Sequence, residues 1–257
     1  MLALRALAFV AFGLAVGSFL TVVIHRVPRG QSIVAPRSAC PSCGSQIEAR
    51  DNVPVVSYVL LWGRCRRCGT RIPAEYPVVE ALIGGLFLAA ALAFDDVVVA
   101  ATVALFFAVV VAVAAIDLRH RIIPNRIVYP SLVAFLVAIA SFSALGRPLS
   151  LSRAGLGLLA YGGGLLFVAI ASRSGMGMGD VKLAALVGLV LGALGWAYVG
   201  VAAALAILAG GLAAVIALVR GAGRRDLMPF GPSITAGALI SALLAPQVAS
   251  WYTHALR

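Results

Sequence analysis

The sequence predicts an all-α polytopic membrane protein of about eight transmembrane helices, with one small cysteine-bearing segment inserted between helices 1 and 2. Three observations carry this. Of the 257 residues 62% are apolar and only 11% charged, and the mean hydropathy is +1.06, which leaves too little polar surface for a water-soluble domain of this length. The apolar residues fall in runs near the ~20 residues that cross a hydrocarbon core. The basic residues stand between those runs, the pattern that orients a polytopic chain. The net charge of +11 is therefore read as an orientation signal, and no nucleic-acid partner is expected.

In chain order, the spans are expected at Ala6–Ile24, Val78–Phe94, Val97–Ile116, Ile127–Leu145, Ala154–Ala171 and Ile234–Trp251. The first run is 19 residues long and no small-residue cleavage site stands out after it, so it reads as a retained helix rather than a signal peptide. Leu183–Val219 is a further apolar stretch of 37 residues, either one long helix or two with a turn near Gly192–Gly195. Charge decides. With two helices, and with the first span exiting into the cytoplasm, the loops 26–77, 117–126, 172–182 and 220–226 are cytoplasmic and hold 16 of the 20 Lys and Arg. One helix would put Arg220, Arg224 and Arg225 outside, against the positive-inside bias. The expected organisation is a first helix (1–25), a cytoplasmic cysteine domain (26–77) and a transmembrane core (78–257), embedded in a bilayer with both termini outside.

All four cysteines lie in the one loop, as Cys40-Pro-Ser-Cys43-Gly and Cys65-Arg-Arg-Cys68-Gly. Two residues between cysteines let both sulfurs of a pair face one metal, and the glycine after each pair suits the positive φ of a tight knuckle. Disulfides fit poorly in a cytoplasmic loop, a redox pair has no need of a twin, and an iron–sulfur cluster lacks this doubled knuckle. Zinc suits four thiolates and is structural where sulfur fills every position. The loop thus reads as a cytoplasmic zinc-knuckle domain. Val53–Trp62 is too short to span and is expected under the knuckles or in the membrane interface. Glu80, just inside the second span, lies where a helix N-terminus favours an anion.

Two aspartates stand at the edges of spans: Asp117 in AAIDLRHRIIPN and Asp180 in SGMGMGDVKL. A carboxylate at membrane depth costs ~2.5–3.5 kcal/mol on insertion scales and marks a candidate functional site. Two helices separate the pair, so topology returns both to the cytoplasmic interface. Asp180 follows Gly175, Gly177 and Gly179, a run that allows close backbone approach into a helix start. Asp117 alone, beside Arg119 and Arg121, would pass for an interfacial residue. Together, two facing carboxylates can share a proton, one activating water and the other protonating a carbonyl. Lys182 either tunes that charge or marks the membrane boundary.

These residues resemble the type IV prepilin peptidases, membrane aspartyl proteases with a G-x-G-D motif. The matching blocks run through the chain in family order: GSFLTVVIHRVP (17–28), CPSCG (40–44), DNVPVVSY (51–58), GRCRRCG (63–69), RIPAEYPVVEAL (71–82), IDLRHRIIPN (116–125), GMGMGDVKLAALVG (175–188) and PFGPSI (229–234). The resemblance implies that Asp117 and Asp180 are the catalytic pair, supported by Gly177, Gly179 and Lys182. It implies prepilin or pseudopilin substrates, with a basic leader ending in Gly before a hydrophobic helix, cut at the cytoplasmic face of a bacterial inner membrane. It also implies N-methylation of the new terminus from S-adenosylmethionine, with Gly63 similar to a family position tied to that activity. Thr21 and Met178 depart from the common family pattern, and neither removes a catalytic group. No S-adenosylmethionine fingerprint is readable in the residues themselves. Two rivals stay open from sequence: a G-x-G-D protease acting on other membrane peptides, and a zinc-ribbon transporter or scaffold whose acidic pair conducts ions.

Overall fold

The structure, a computed structural model, describes residues 1–171, 177–221 and 229–255, and within the last helix side chains as far as Ala245 and at Gln247. Gly175 and Met176 of the glycine run, Arg173, Arg224 and Arg225 of the charge pattern, and Arg257 lie outside the described residues, as do the side chains of Trp251 and His254.

Among the described residues six helical stretches, rather than the expected eight, are long and apolar enough to cross a membrane, and two further apolar helices occupy the remaining expected positions. Helices α1 (Leu2–Arg26), α3 (Glu75–Ala93), α4 (Val97–His120), α5 (Asn125–Ala144) and α9 (Trp196–Val219) are each one span, and α2 (Val56–Leu60) is a short helix between the first two. Leu151–Ala171 is a single apolar span built from α6 (Leu151–Leu158), a π-helical turn at Leu159–Gly163 and α7 (Gly164–Ala171). Helix α8 (Met178–Leu194) has 17 residues, a rise of ~26 Å that falls short of the ~30 Å hydrocarbon core. Helix α10 (Gly231–Ala255) is the last. The described residues contain no strand, only isolated bridges at Ala39–Gln46 and Arg64–Arg71.

The long apolar stretch is two helices. Gly195 is extended (φ 157°, ψ 165°), and its N–H closes α8 on Leu191 O at 3.1 Å. Most helix starts fall earlier than the apolar runs suggest, and three of them have a local cause. Helices α3 and α10 start three residues before Val78 and Ile234 because Pro77 and Pro232 sit in first turns, where proline's missing N–H has no partner to lose. Helix α6 starts at Leu151 because the Ser150 hydroxyl caps it, accepting the Arg153 N–H.

Two compact units divide after Asp95. In the first, α1 and α3 run antiparallel, with Gly13 against Phe87 and Gly17 against Glu80. The Arg5 guanidinium donates to the carbonyls of Ala91, Phe94 and Asp95 at the end of α3, where a cation meets the negative pole of the helix. Between Val27 and Val79 no apolar side chain is buried. Val53–Trp62 therefore does not pack as a core under the knuckles: Val56, Val59, Leu60 and Trp62 are exposed, and only Ser57 is buried there among side chains beyond glycine.

In the second unit, α4 and α8 form the centre. Helix α4 is buried along most of its length from Val99 to Asp117, and α8 from Val181 to Ala193. Asp96 caps α4 through the N–H groups of Val98 and Val99 at 2.7 and 3.1 Å and pairs with Arg147 at 3.2 Å. The amide bonds from Val99 and Val98, and the charge of Arg147, hold the Asp96 carboxyl below its usual range. Helix α6 meets α8 backbone to backbone at Gly157 and Gly188. Helix α10 lies against α9 and α4, its Thr235 hydroxyl donating to Val110 O at 3.2 Å. The helices carrying the two aspartates are thus the ones most shielded by their neighbours.

Candidate active site and metal centre

Helix α4 ends where α8 and α10 begin. Strand-free connectivity makes this so: α5 leads away from that end, the α6–α7 span returns to it, and α8 and α9 repeat the excursion. Asp117 occupies the last turn of α4 and is 4% exposed. Its carbonyl accepts the Arg121 N–H at 2.8 Å, closing the helix, and its Oδ2 accepts the N–H of Gly231 at 3.1 Å. The first amides of a helix have no intrahelical partner and carry its positive pole. Helix α10 therefore presents a ready donor to the carboxylate.

Asp180 is the third residue of α8, after the cap residue Gly177. Its carboxylate turns back to the Gly177 backbone and lies close enough to Asp117 for the two charges to interact. A side chain at this position reaching back to the cap amide is half of a capping box. Gly179 is required by packing: a Cβ there would lie 2.9 Å from Ile123 Cβ. Gly179 thus lets the start of α8 come up against the α4–α5 turn. Lys182, two residues on and about half a helical turn round, donates to Asn125 Oδ1 at 3.1 Å and sits 5.0 Å over the Tyr129 ring. It ties α8 to α5.

Gly231 carries no chemistry-bearing side chain, and sequence reading assigned it no role. Its signals in the sequence are a Gly-Pro pair opening a helix and its place in the PFGPSI block. A Cβ at Gly231 would lie 2.6 Å from Asp117 Oδ2. Gly231→Ala is expected to displace that carboxylate and lower substrate cleavage by ~100-fold, the cost of an ångström-scale misplacement, with little change in melting temperature. Initial-rate assays beside a thermal melt check this; an unchanged rate would detach Gly231 from the site.

The four cysteine sulfurs lie within 4.8 Å of one another. The two knuckles are near copies. Cys40 N–H donates to Ser45 O and Gly44 N–H to Cys40 O, both at 2.9 Å, and Cys65–Thr70 and Gly69–Cys65 repeat the pattern at 2.8 and 2.9 Å. Gly44 and Gly69 both have φ of 70°. Backbone amides of Cys68 and Arg67 hold the Cys65 thiol below its ordinary value, as the Ser45 and Thr70 hydroxyls and amides do for Cys43 and Cys68. The cluster brings four sulfurs to one point, three of them with the thiol held below its ordinary value, and can hold a metal ion. Asp51 and Arg66 lock it to the Ala49–Asn52 turn through a fork of hydrogen bonds at 2.7–3.1 Å.

The structure thus gathers Asp117, Asp180, Gly177 and Gly179 in one place and the four cysteines in another. Gly63 (φ 64°) lies in the first unit beneath Tyr58, whose hydroxyl a Cβ on Gly63 would approach to 2.9 Å.

Comparison with known proteins follows the same division. Residues 11–94 match the Bacterial Peptidase A24 N-terminal domain and residues 104–216 the Type IV leader peptidase family. The chain is 34% identical to a prepilin leader peptidase/N-methyltransferase of Bacillus subtilis, covering 94% of this chain and 95% of that protein. Proteins of the same name from Burkholderia pseudomallei (36%, covering 90% and 83%) and Pseudomonas aeruginosa (33%, covering 98% and 96%) are similarly related. No solved structure matches. The convergence of two aspartates at the ends of buried helices, the paired cysteine knuckles and these relatives make the chain a member of the type IV leader peptidase family.

Proposed function

We propose that the protein removes the leader peptides of prepilins or pseudopilins with Asp117 and Asp180 and then N-methylates the exposed terminus. The observation that carries the reading is the pairing of Asp117 and Asp180 at one end of the second unit, each on a helix shielded from lipid. The ionised carboxylate of the pair takes a proton from water as the oxygen attacks the carbonyl carbon of the leader's last Gly. The protonated partner gives its proton to the carbonyl oxygen. Collapse of the diol breaks the C–N bond, and the leaving amine takes a proton back from the pair. The Gly231 and Gly177 amides orient the two carboxylates throughout.

The site lies at the cytoplasmic face of the inner membrane, a placement supported by the 16 of 20 basic residues in the loops on that side. A basic leader suits this face, and a hydrophobic helix after the cut would remain in the bilayer. Zinc is the metal of the cysteine cluster. A tetrahedron of thiolates at ~2.3 Å has edges of ~3.8 Å, and Cys40 Sγ and Cys68 Sγ are 3.7 Å apart. With all four positions taken by sulfur, the metal holds structure and takes no part in hydrolysis. When bound, S-adenosylmethionine would supply the methyl group, the new amine giving up one proton to solvent and S-adenosylhomocysteine departing.

Purified protein in lipid nanodiscs should convert a prepilin-like peptide into two products, the mature one later gaining the mass of one methylene when S-adenosylmethionine is present. Intact substrate after prolonged incubation, with a Gly-to-hydrophobic junction present, would sink the peptidase reading. Proton-driven flux in place of cleavage would favour the transporter.

A further inference from the structure

We propose that the cavity of about 780 Å³ in the first unit is the S-adenosylmethionine pocket, with Glu80 as its anionic anchor and Tyr58 as a wall set in place by Gly63; this rests on the methyltransferase reading above. The volume lies within the ~300–1,000 Å³ of small-molecule sites. Its lining combines apolar and aromatic surface (Val55, Tyr58, Tyr76) with polar groups (Thr21, Asn52, Glu80).

Glu80 is the most informative of these. It is 8% exposed, and among the described residues no lysine or arginine is paired with it. Its Oε2 accepts the Val55 N–H at 2.7 Å, which leaves Oε1 outside that bond. Beneath it α1 and α3 are sealed, since a Cβ on Gly17 would lie 2.8 Å from Glu80 Cα. A buried carboxylate with one hydrogen bond and no cation is costly, and a cationic ligand offsets that cost. S-adenosylmethionine brings two cations, a sulfonium and an ammonium. It also brings a carboxylate, which the exposed Arg67 and Arg71 of the same lining complement.

The backbone around Glu80 is held in an unusual shape. Val55 has φ 61° and ψ −48°, and Val56 N–H closes a γ-turn on Pro54 O at 2.6 Å. A β-branched residue rarely adopts this conformation, and such strain gathers at ligand sites. The Glu80 carboxylate secures that turn on one side of the cavity.

On the other side stands Tyr58. Gly63 does not line the cavity, yet its missing Cβ leaves room for the Tyr58 ring, whose Oη and Cζ would otherwise lie 2.9 and 3.0 Å away. Gly63 is therefore a positioning residue, acting through Tyr58 rather than touching the ligand.

The test is direct binding of radiolabelled S-adenosylmethionine to the full-length protein in nanodiscs by equilibrium dialysis, with bound metal and melting temperature as folding controls. Glu80→Gln is expected to raise Kd at least tenfold and Gly63→Ala severalfold. Tyr58→Phe combined with Gly63→Ala should recover part of the Gly63→Ala loss, since the closest atom is gone. A wild type that binds and methylates while Glu80→Gln and Gly63→Ala bind equally well overturns the pocket and leaves the function standing. A wild type that neither binds the ligand nor methylates the processed peptide overturns the methyltransferase reading, and the pocket with it. If Glu80→Gln loses its metal or melts early, Tyr58→Phe alone decides: tighter or equal binding in both Tyr58→Phe and the double variant counts against the wall.

Discussion

Asp180→Asn is expected to lower leader cleavage by ~1,000-fold or more, and Asp117→Asn by a similar factor, because each substitution keeps size and removes a proton-transfer group worth ~10²–10⁴. The asparagine at 180 can still accept from Gly177, and that at 117 from Gly231, so the helix ends should stay in place. The two losses should not multiply. A pair that works as one unit fails when either member is removed, and the double variant is expected near the single ones. Single-turnover cleavage of a prepilin-like peptide, followed by mass spectrometry, measures all three. Cleavage within tenfold of wild type in either single variant would remove that residue from the chemistry.

The second large effect concerns the metal. Replacing any one of Cys40, Cys43, Cys65 or Cys68 by Ser, or stripping the metal with a chelator, is expected to unfold the segment between α1 and α3. No apolar side chain between Val27 and Val79 is buried, so hydrophobic burial cannot hold this stretch. Structural metal binding, at ~10–16 kcal/mol apparent in small zinc domains, can. All four substitutions should behave alike, because the knuckles share one ion. Trypsin should then cut at Arg37, Arg50 and Arg64, while the spans keep their helical signal. The opposite result, a protease-resistant segment in metal-free protein, would mean that the Asp51–Arg66 fork and the knuckle turns suffice. The same substitutions should abolish methylation, since Cys40 and Cys65 border the cavity of the first unit.

Much of this architecture was legible from local signals. Span positions follow from apolar length, because the bilayer imposes it on each segment separately. The knuckles are equally local: each is a short turn whose hydrogen bonds close within a few residues, so the doubled Cys-x-x-Cys-Gly was enough to bring out the cluster. Asp180 was visible through the glycines before it. The helix starts at Glu75 and Gly231 were misplaced by three residues because apolarity begins after the proline in each first turn, whereas the hydrogen bonds begin before it. The π turn at Leu159–Gly163 left no mark beyond three consecutive glycines.

What sequence alone determined was the all-helical, multi-pass character, the metal-holding cysteines and the two candidate carboxylates. Each of these is set by residues near one another in the chain or by the solvent they face. Only the tertiary structure decided what those groups touch. Gly231 reaches Asp117 across 114 residues, and Glu80 reaches Val55 across 25. Helix α3 falls with α1 rather than with the helices that follow it. The reason is physical: a backbone amide or an absent Cβ is the same in every glycine, and it acquires a role only when packing brings a particular carboxylate or ring against it.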